Sequence, residues 1–134
     1  MSANDSEIEK GFEFIEAHSI NGIQTEFVVH KFMNKILLII TQFGKIGNFY
    51  SVNNQVFSDD NMISASNTKI FNIKHLFGPE SIETEGAIRY LMNFIASERQ
   101  EILVCFAVKN NDNLSKEFLD RVKDILLKIP IFMK

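Results

Sequence analysis

Two stretches of the chain, Ile36–Ile40 (ILLII) and Ile102–Val108 (ILVCFAV), are apolar with no polar interruption. A half-exposed strand alternates, because successive side chains point to opposite faces. An unbroken run of this length beside turn signals predicts a strand buried on both faces, or a short buried helix. The β-branched residues and the glycines at 44 and 47 favour the strand. Around these runs the pattern is more ordinary. Phe12–Ala17 and Ile23–Phe32 flank Asn21-Gly22, a pair that accepts positive φ and predicts a tight hairpin. Met33–Lys35 turns the chain into a buried strand over Ile36–Phe43, and Gly44–Gly47 reverses it into Asn48–Val52. Asn53–Asn67 reads as a long polar connection with four apolar anchors, Val56, Phe57, Met62 and Ile63, and room for a short strand. Lys69–Phe77 partly alternates, which predicts a strand with one wet face ending at Gly78-Pro79.

Two helices follow from a different period. Glu83 and Glu85 favour a helix start through the helix dipole, and Ile88, Leu91, Met92 and Ile95 then form one apolar stripe. Asn110–Asn113 is the next loop and the expected source of an N-cap. The last helix carries Phe118, Val122, Ile125, Leu126 and Ile129 on one face, with Glu117/Arg121 and Asp124/Lys128 spaced for i,i+4 pairs, and ends at Pro130.

This order predicts an α+β fold: a mostly antiparallel sheet of five or six strands with two helices on one face. Each helix has a single stripe, so together they cover one sheet face. The unbroken strands nevertheless call for burial on both. The alternations left over are Ile36, Leu38 and Ile40 or Leu37 and Ile39 in one strand, and Ile102, Val104, Phe106 and Val108 or Leu103, Cys105 and Ala107 in the other. Exposed together, such residues make a larger apolar patch than a monomer normally shows. The second face is therefore available for dimerisation, with Ile36, Leu38, Ile40, Ile102, Val104 and Phe106 as the dimer-face candidates. A fold-back of the Asn53–Asn67 connection is the alternative cover, poor in apolar anchors.

Composition narrows the function classes. A chain of 134 residues with 46% hydrophobic content suits one domain, expected over 11–134 after a flexible tail at 1–10. A net charge of -3 with scattered Lys and Arg leaves no electrostatic footprint for nucleic acid. The single cysteine excludes an intrachain disulfide and suits a reducing compartment. The first ten residues lack the basic and apolar regions of a signal peptide, and no apolar run reaches bilayer length, so no membrane partner is expected. The expected location is the cytoplasm, with the nucleus as a second compartment.

Catalytic signals are missing. Gly44-x-x-Gly47 has neither the spacing nor the following helix of a phosphate loop, and a strand precedes it where an RNA-clamping GXXG loop lies between helices. It reads as a β-turn, with Lys45 at its tip. His18, His30 and His75 show no metal-ligand spacing. Cys105, set in the most apolar strand, is expected to be a protonated, inert thiol. Glu98 and Glu101 flank a turn and are expected to be solvated. No enzyme, cofactor or metal assignment follows.

The segment Ile36–Gly47, reading ILLIITQFGKIG, resembles the hydrophobic strand and TQFGK-x-G stretch of the proteasome assembly chaperone 3 family. The Asn21-Gly22 turn before a polar strand, the strand ending near Phe77-Gly78, and the helix followed by Ile102–Lys109 keep that family's order, so the likeness spans roughly 12–129. The resemblance implies a non-catalytic chaperone that pairs with itself or with a related, chaperone 4-like subunit. It also implies binding of alpha-type subunits and help with assembling the alpha ring of the proteasome core particle, with no cofactor. The strand-end loop Gln42, Phe43, Gly44, Lys45, Ile46 and Gly47 is then the candidate contact for an alpha subunit. The polar connection and the Asn110–Asn113 loop are the places where this chain departs from such relatives. Rival readings are a sheet-based dimeric scaffold in trafficking or signalling, and an RNA-binding module using the GXXG turn.

Overall fold

A computed structural model describes residues 13–42, 47–54, 71–96, 100–108 and 114–132. The expected tail at 1–10, the Asn110–Asn113 loop and all but the first two residues of the Asn53–Asn67 connection lie outside the described residues.

Six strands form one sheet: β1 (Phe14–Ile20), β2 (Ile23–Lys31), β3 (Lys35–Thr41), β4 (Asn48–Asn54), β5 (Phe71–Phe77) and β6 (Glu101–Ala107). The spatial order is β1-β2-β3-β6-β4-β5. Every pairing is antiparallel except the central one, β3 with β6, which is parallel. The class is α+β, as the order of elements predicts. The two unbroken apolar runs are next to each other at the middle of the sheet. Their lack of alternation means that apolar side chains line both sheet faces at the centre, one face buried and the other half-buried. The Asn21-Gly22 hairpin forms with φ of 54° and 80°, the left-handed pair that a two-residue turn requires.

Helix α1 (Ile82–Ile95) links β5 to β6, and α2 (Lys116–Leu127) follows β6, with a 3-10 turn at Pro130–Phe132. Ser81 caps α1 by accepting from the Thr84 N–H at 3.1 Å. Ser115 does the same for α2 from Phe118 at 3.2 Å. The α2 cap is thus this serine and not an asparagine of the preceding loop. The predicted stripe Ile88, Leu91, Met92 and Ile95 is buried on α1, and Phe118, Val122 and Leu126 on α2. Glu117/Arg121 and Asp124/Lys128 do not form ion pairs. The pairs observed on the helices are Arg89–Glu85 at 3.7 Å and Lys123–Asp120 at 3.9 Å.

Both helices pack on the same face of the sheet. Phe27 and Val29 of β2, Ile36, Leu38 and Ile40 of β3, Tyr50 and Val52 of β4, and Ile102, Val104 and Phe106 of β6 join the helical stripes in one cluster. Register explains the set: Ile36 faces Ile102, Leu38 faces Val104 and Ile40 faces Phe106 across the parallel pair. This overturns one expectation. Ile36, Leu38, Ile40, Ile102, Val104 and Phe106 are 0–4% exposed in the single chain. They form the domain's own core and leave no surface for a dimer partner.

Candidate interaction surface

The opposite alternation lies on the face turned away from α1 and α2. Leu37 and Ile39 of β3 and Leu103 of β6 are half-buried there, with Val28 and His30 beside them on β2 and Phe49 on β4. Flanking side chains on adjacent strands are close neighbours, so these residues partly shield one another. At one border Lys35 and Glu101 stand opposite in register, with Nζ 3.8 Å from the carboxylate. Glu101 also accepts a hydrogen bond from the Ser51 hydroxyl on β4. So Glu101 is half-buried and tied to two strands, where the sequence suggested a solvated turn residue. A polar border beside an apolar centre is a feature of protein contact surfaces.

Cys105 lies on the same face but is fully buried. Burial raises its thiol pKa, and a hydrogen bond from the Gly47 backbone only partly offsets this, so the thiol stays protonated.

Directly above this face is the end of the sheet where β3, β5 and β6 finish and β4 begins. Of the six loop candidates, Gln42 and Gly47 are described, and Phe43, Gly44, Lys45 and Ile46 lie outside the described residues. Gln42 is anchored twice: its backbone N–H donates to the Ala107 carbonyl at 2.8 Å, and its side-chain amide donates to Thr25 Oγ1 at 3.2 Å. Gly47 sits where a Cβ would lie 2.7 Å from the Phe106 carbonyl oxygen, closer than any side chain permits. Gly78 has φ of +88°, and its Cβ would meet the Gly47 oxygen at 2.9 Å. Two glycines therefore let the start of β4 and the end of β5 crowd against β6, and the loop springs from a rigid base. Beside it, Leu76, Phe77 and Ile82 are 48%, 66% and 88% exposed. This apolar group had no distinct sequence signal, since Phe77 and Ile82 simply end one element and begin another.

Among the described residues no group of His, Cys, Asp and Glu is arranged to hold a metal ion, and no helix is long and apolar enough to cross a membrane. What the arrangement offers is a half-buried apolar face next to the anchored residues Gln42 and Gly47.

The sequence profile of proteasome assembly chaperone 3 matches residues 38–128, well over half of the chain. The chain belongs to that family. The match begins inside β3 and ends just past α2, so it takes in the parallel strand pair and both helices. Among solved structures, a chain from a novel chaperone complex for yeast 20S proteasome assembly has a similar fold, with a TM-score of 0.64 and 17% sequence identity. The likeness covers 84% of this chain and 92% of that one. At this identity it speaks to the fold. No curated protein matches the sequence. Membership of the family supports a role as a proteasome assembly chaperone, the class of function that the TQFGK-x-G stretch suggests.

Proposed function

We propose that the chain is a non-catalytic chaperone that works as a dimer, with itself or with a related, chaperone 4-like subunit. It binds alpha-type subunits and promotes assembly of the alpha ring of the proteasome core particle. The single observation that carries this reading is the family match over residues 38–128. The geometry supports it: the face bearing Leu37, Ile39 and Leu103 is apolar, bordered by polar groups and turned away from both helices. Fully burying a leucine or isoleucine yields about 1.5–3 kcal/mol. These residues have already gained part of that, so each contributes roughly 1 kcal/mol more when a partner covers it.

A chaperone of this kind discriminates by affinity differences, adding contacts to correct ring neighbours and blocking wrong ones. It needs a preformed surface and exposed loops, and no cofactor, metal, nucleic acid or membrane. The loop from Gln42 to Gly47 is the proposed alpha-subunit contact, and the apolar face is the dimer contact. The proposed site of action is the cytoplasm, with the nucleus as a second compartment. The test separates the two surfaces. Replacing Leu37 and Leu103 by Asp should yield a folded chain that no longer pairs by sedimentation, while replacing Lys45 and Ile46 should leave pairing intact and reduce recovery of alpha-type subunits. Unchanged recovery after the loop replacement sinks the loop assignment; unchanged pairing after the face replacement sinks the dimer assignment.

A further inference from the structure

The two edges of the sheet are unlike each other. The edge at β5 is irregular, with a register shift between Phe49 and Tyr50 in its pairing with β4. The other edge, β1, pairs with β2 through seven residues in continuous register. It contains no proline, no lysine and no bulge, the devices that usually protect an edge from pairing with another chain. Ile15 at its outer face is 60% exposed.

The backbone orientation of β1 follows from its hairpin. A two-residue turn at Asn21-Gly22 is closed by mutual hydrogen bonds between Ile20 and Ile23, which face each other in register. Alternation along an antiparallel pair then directs the backbone groups of Ile20, His18, Glu16 and Phe14 toward β2. Those of Ser19, Ala17 and Ile15 point outward, unused by the sheet.

The sequence of β1, FIEAHSI, is self-complementary about Ala17. We propose that β1 pairs antiparallel with β1 of a second copy of this chain, the two-fold axis passing through Ala17, so that two six-stranded sheets join edge to edge. In this register the outward groups of Ala17 bond to those of the second copy's Ala17, and Ile15 bonds to the second copy's Ser19. Glu16 then stands opposite the second copy's His18 in a non-hydrogen-bonded pair, the closest side-chain position in an antiparallel ladder, and the symmetry repeats this pair. Phe14 faces the second copy's Ile20. A register shifted by one step places Glu16 opposite Ala17 or Ser19, depending on direction, and loses both Glu16–His18 pairs. Within one chain His18 Nε2 and Glu16 already lie 2.8 Å apart, so both groups are oriented on the face where the cross-strand pairs form.

A cleft of about 390 Å³ separates β1 from α2, with Glu16 and His18 on the strand side and Arg121, Asp124 and Lys128 on the helix side. This joint is distinct from the face that carries Leu37 and Leu103, so the two contacts are separable.

Sedimentation velocity of the full chain carrying Leu37→Asp and Leu103→Asp isolates the edge. That protein should still self-associate, and Ala17→Pro, which removes an outward N–H without breaking a bond to β2, should abolish the association. In the same Asp background, Glu16→Lys should weaken edge association about tenfold, and the exchange Glu16→His with His18→Glu should restore it. No association in the Asp background, association unaffected by Ala17→Pro, or an exchange variant no stronger than Glu16→Lys each overturns the proposal. Circular dichroism and urea midpoints of every variant, Ala17→Pro included, exclude unfolding as the cause of any loss.

Discussion

Replacing Leu38 and Leu37 separately by alanine tests the assignment of the two sheet faces. The residues are neighbours in sequence and identical in chemistry, but they point to opposite faces. Leu38 is 0% exposed, in register with Val29 on one side and Val104 on the other, within the cluster that includes both helices. Truncation there leaves a cavity that its close-packed surroundings fill poorly, and should cost about 3 kcal/mol. Leu37 is half-buried among neighbours on its own sheet, so its loss should cost about 1 kcal/mol. Urea unfolding followed by circular dichroism at low protein concentration, where association contributes little, reads both. With a slope of about 2 kcal/mol per molar, the midpoints should fall by roughly 1.5 M for Leu38→Ala and 0.5 M for Leu37→Ala. Association should respond in the opposite order, weakened by Leu37→Ala and unchanged by Leu38→Ala in the folded protein. Equal costs for the two variants, or a larger cost for Leu37→Ala, would falsify the assignment of Leu38 to the core face.

Four further outcomes follow. Gly47→Ala forces a Cβ against the Phe106 carbonyl and the Ala107 side chain, and should lower stability by about 1–3 kcal/mol in the same urea assay. Ser81→Ala removes the α1 cap and should cost about 1 kcal/mol, while Ser81→Asp, which keeps an acceptor, should cost much less. Both tyrosines should ionise above the ordinary range in an ultraviolet pH titration of the native protein, Tyr50 because it is buried and Tyr90 because its hydroxyl donates to Asp120 at 2.5 Å. The protonated phenols favour the folded state, so their contribution is complete below the unfolded pKa and lost as pH rises through the raised native values; Tyr90→Phe should remove one of the two delayed steps. Cys105, buried and held protonated, should resist a thiol reagent in the native protein and react promptly in denaturant.

Elements were more legible in this sequence than faces. The helices announced themselves by their stripes and the hairpin by Asn21-Gly22, because a 3.6-residue period and a positive-φ turn are local properties. The parallel pairing of β3 with β6 is a contact between residues some sixty positions apart, and no local signal encodes it. Choosing the buried alternation failed for a physical reason: in Ile36–Ile40 and Ile102–Val108 both alternations are apolar, so hydropathy does not distinguish them. The distinguishing residues stand at the strand starts. Lys35 shares a face with Leu37 and Ile39, and Glu101 shares one with Leu103 and Cys105, and these charges mark the side away from the helices. Glu26 and His30 on β2 repeat the signal beside Val28. The Thr41–Gly47 stretch is legible in a different sense. Physics alone reads Thr41–Gly47 as a turn, and its meaning comes from the family likeness, which the profile match over 38–128 bears out.

Edge and face contacts together would let one chain bind two neighbours of its own kind, which constrains how such a chaperone can meet a ring of alpha subunits. Native mass spectrometry of the tagged chain purified with its bound partners from cells tests whether it works as a dimeric chaperone on alpha-type subunits. The expected complexes contain two chaperone chains, or one and a related chaperone, together with alpha-type proteasome subunits. A chain recovered alone as a monomer, free of any alpha-type subunit under conditions in which the alpha ring is being assembled, would contradict that role.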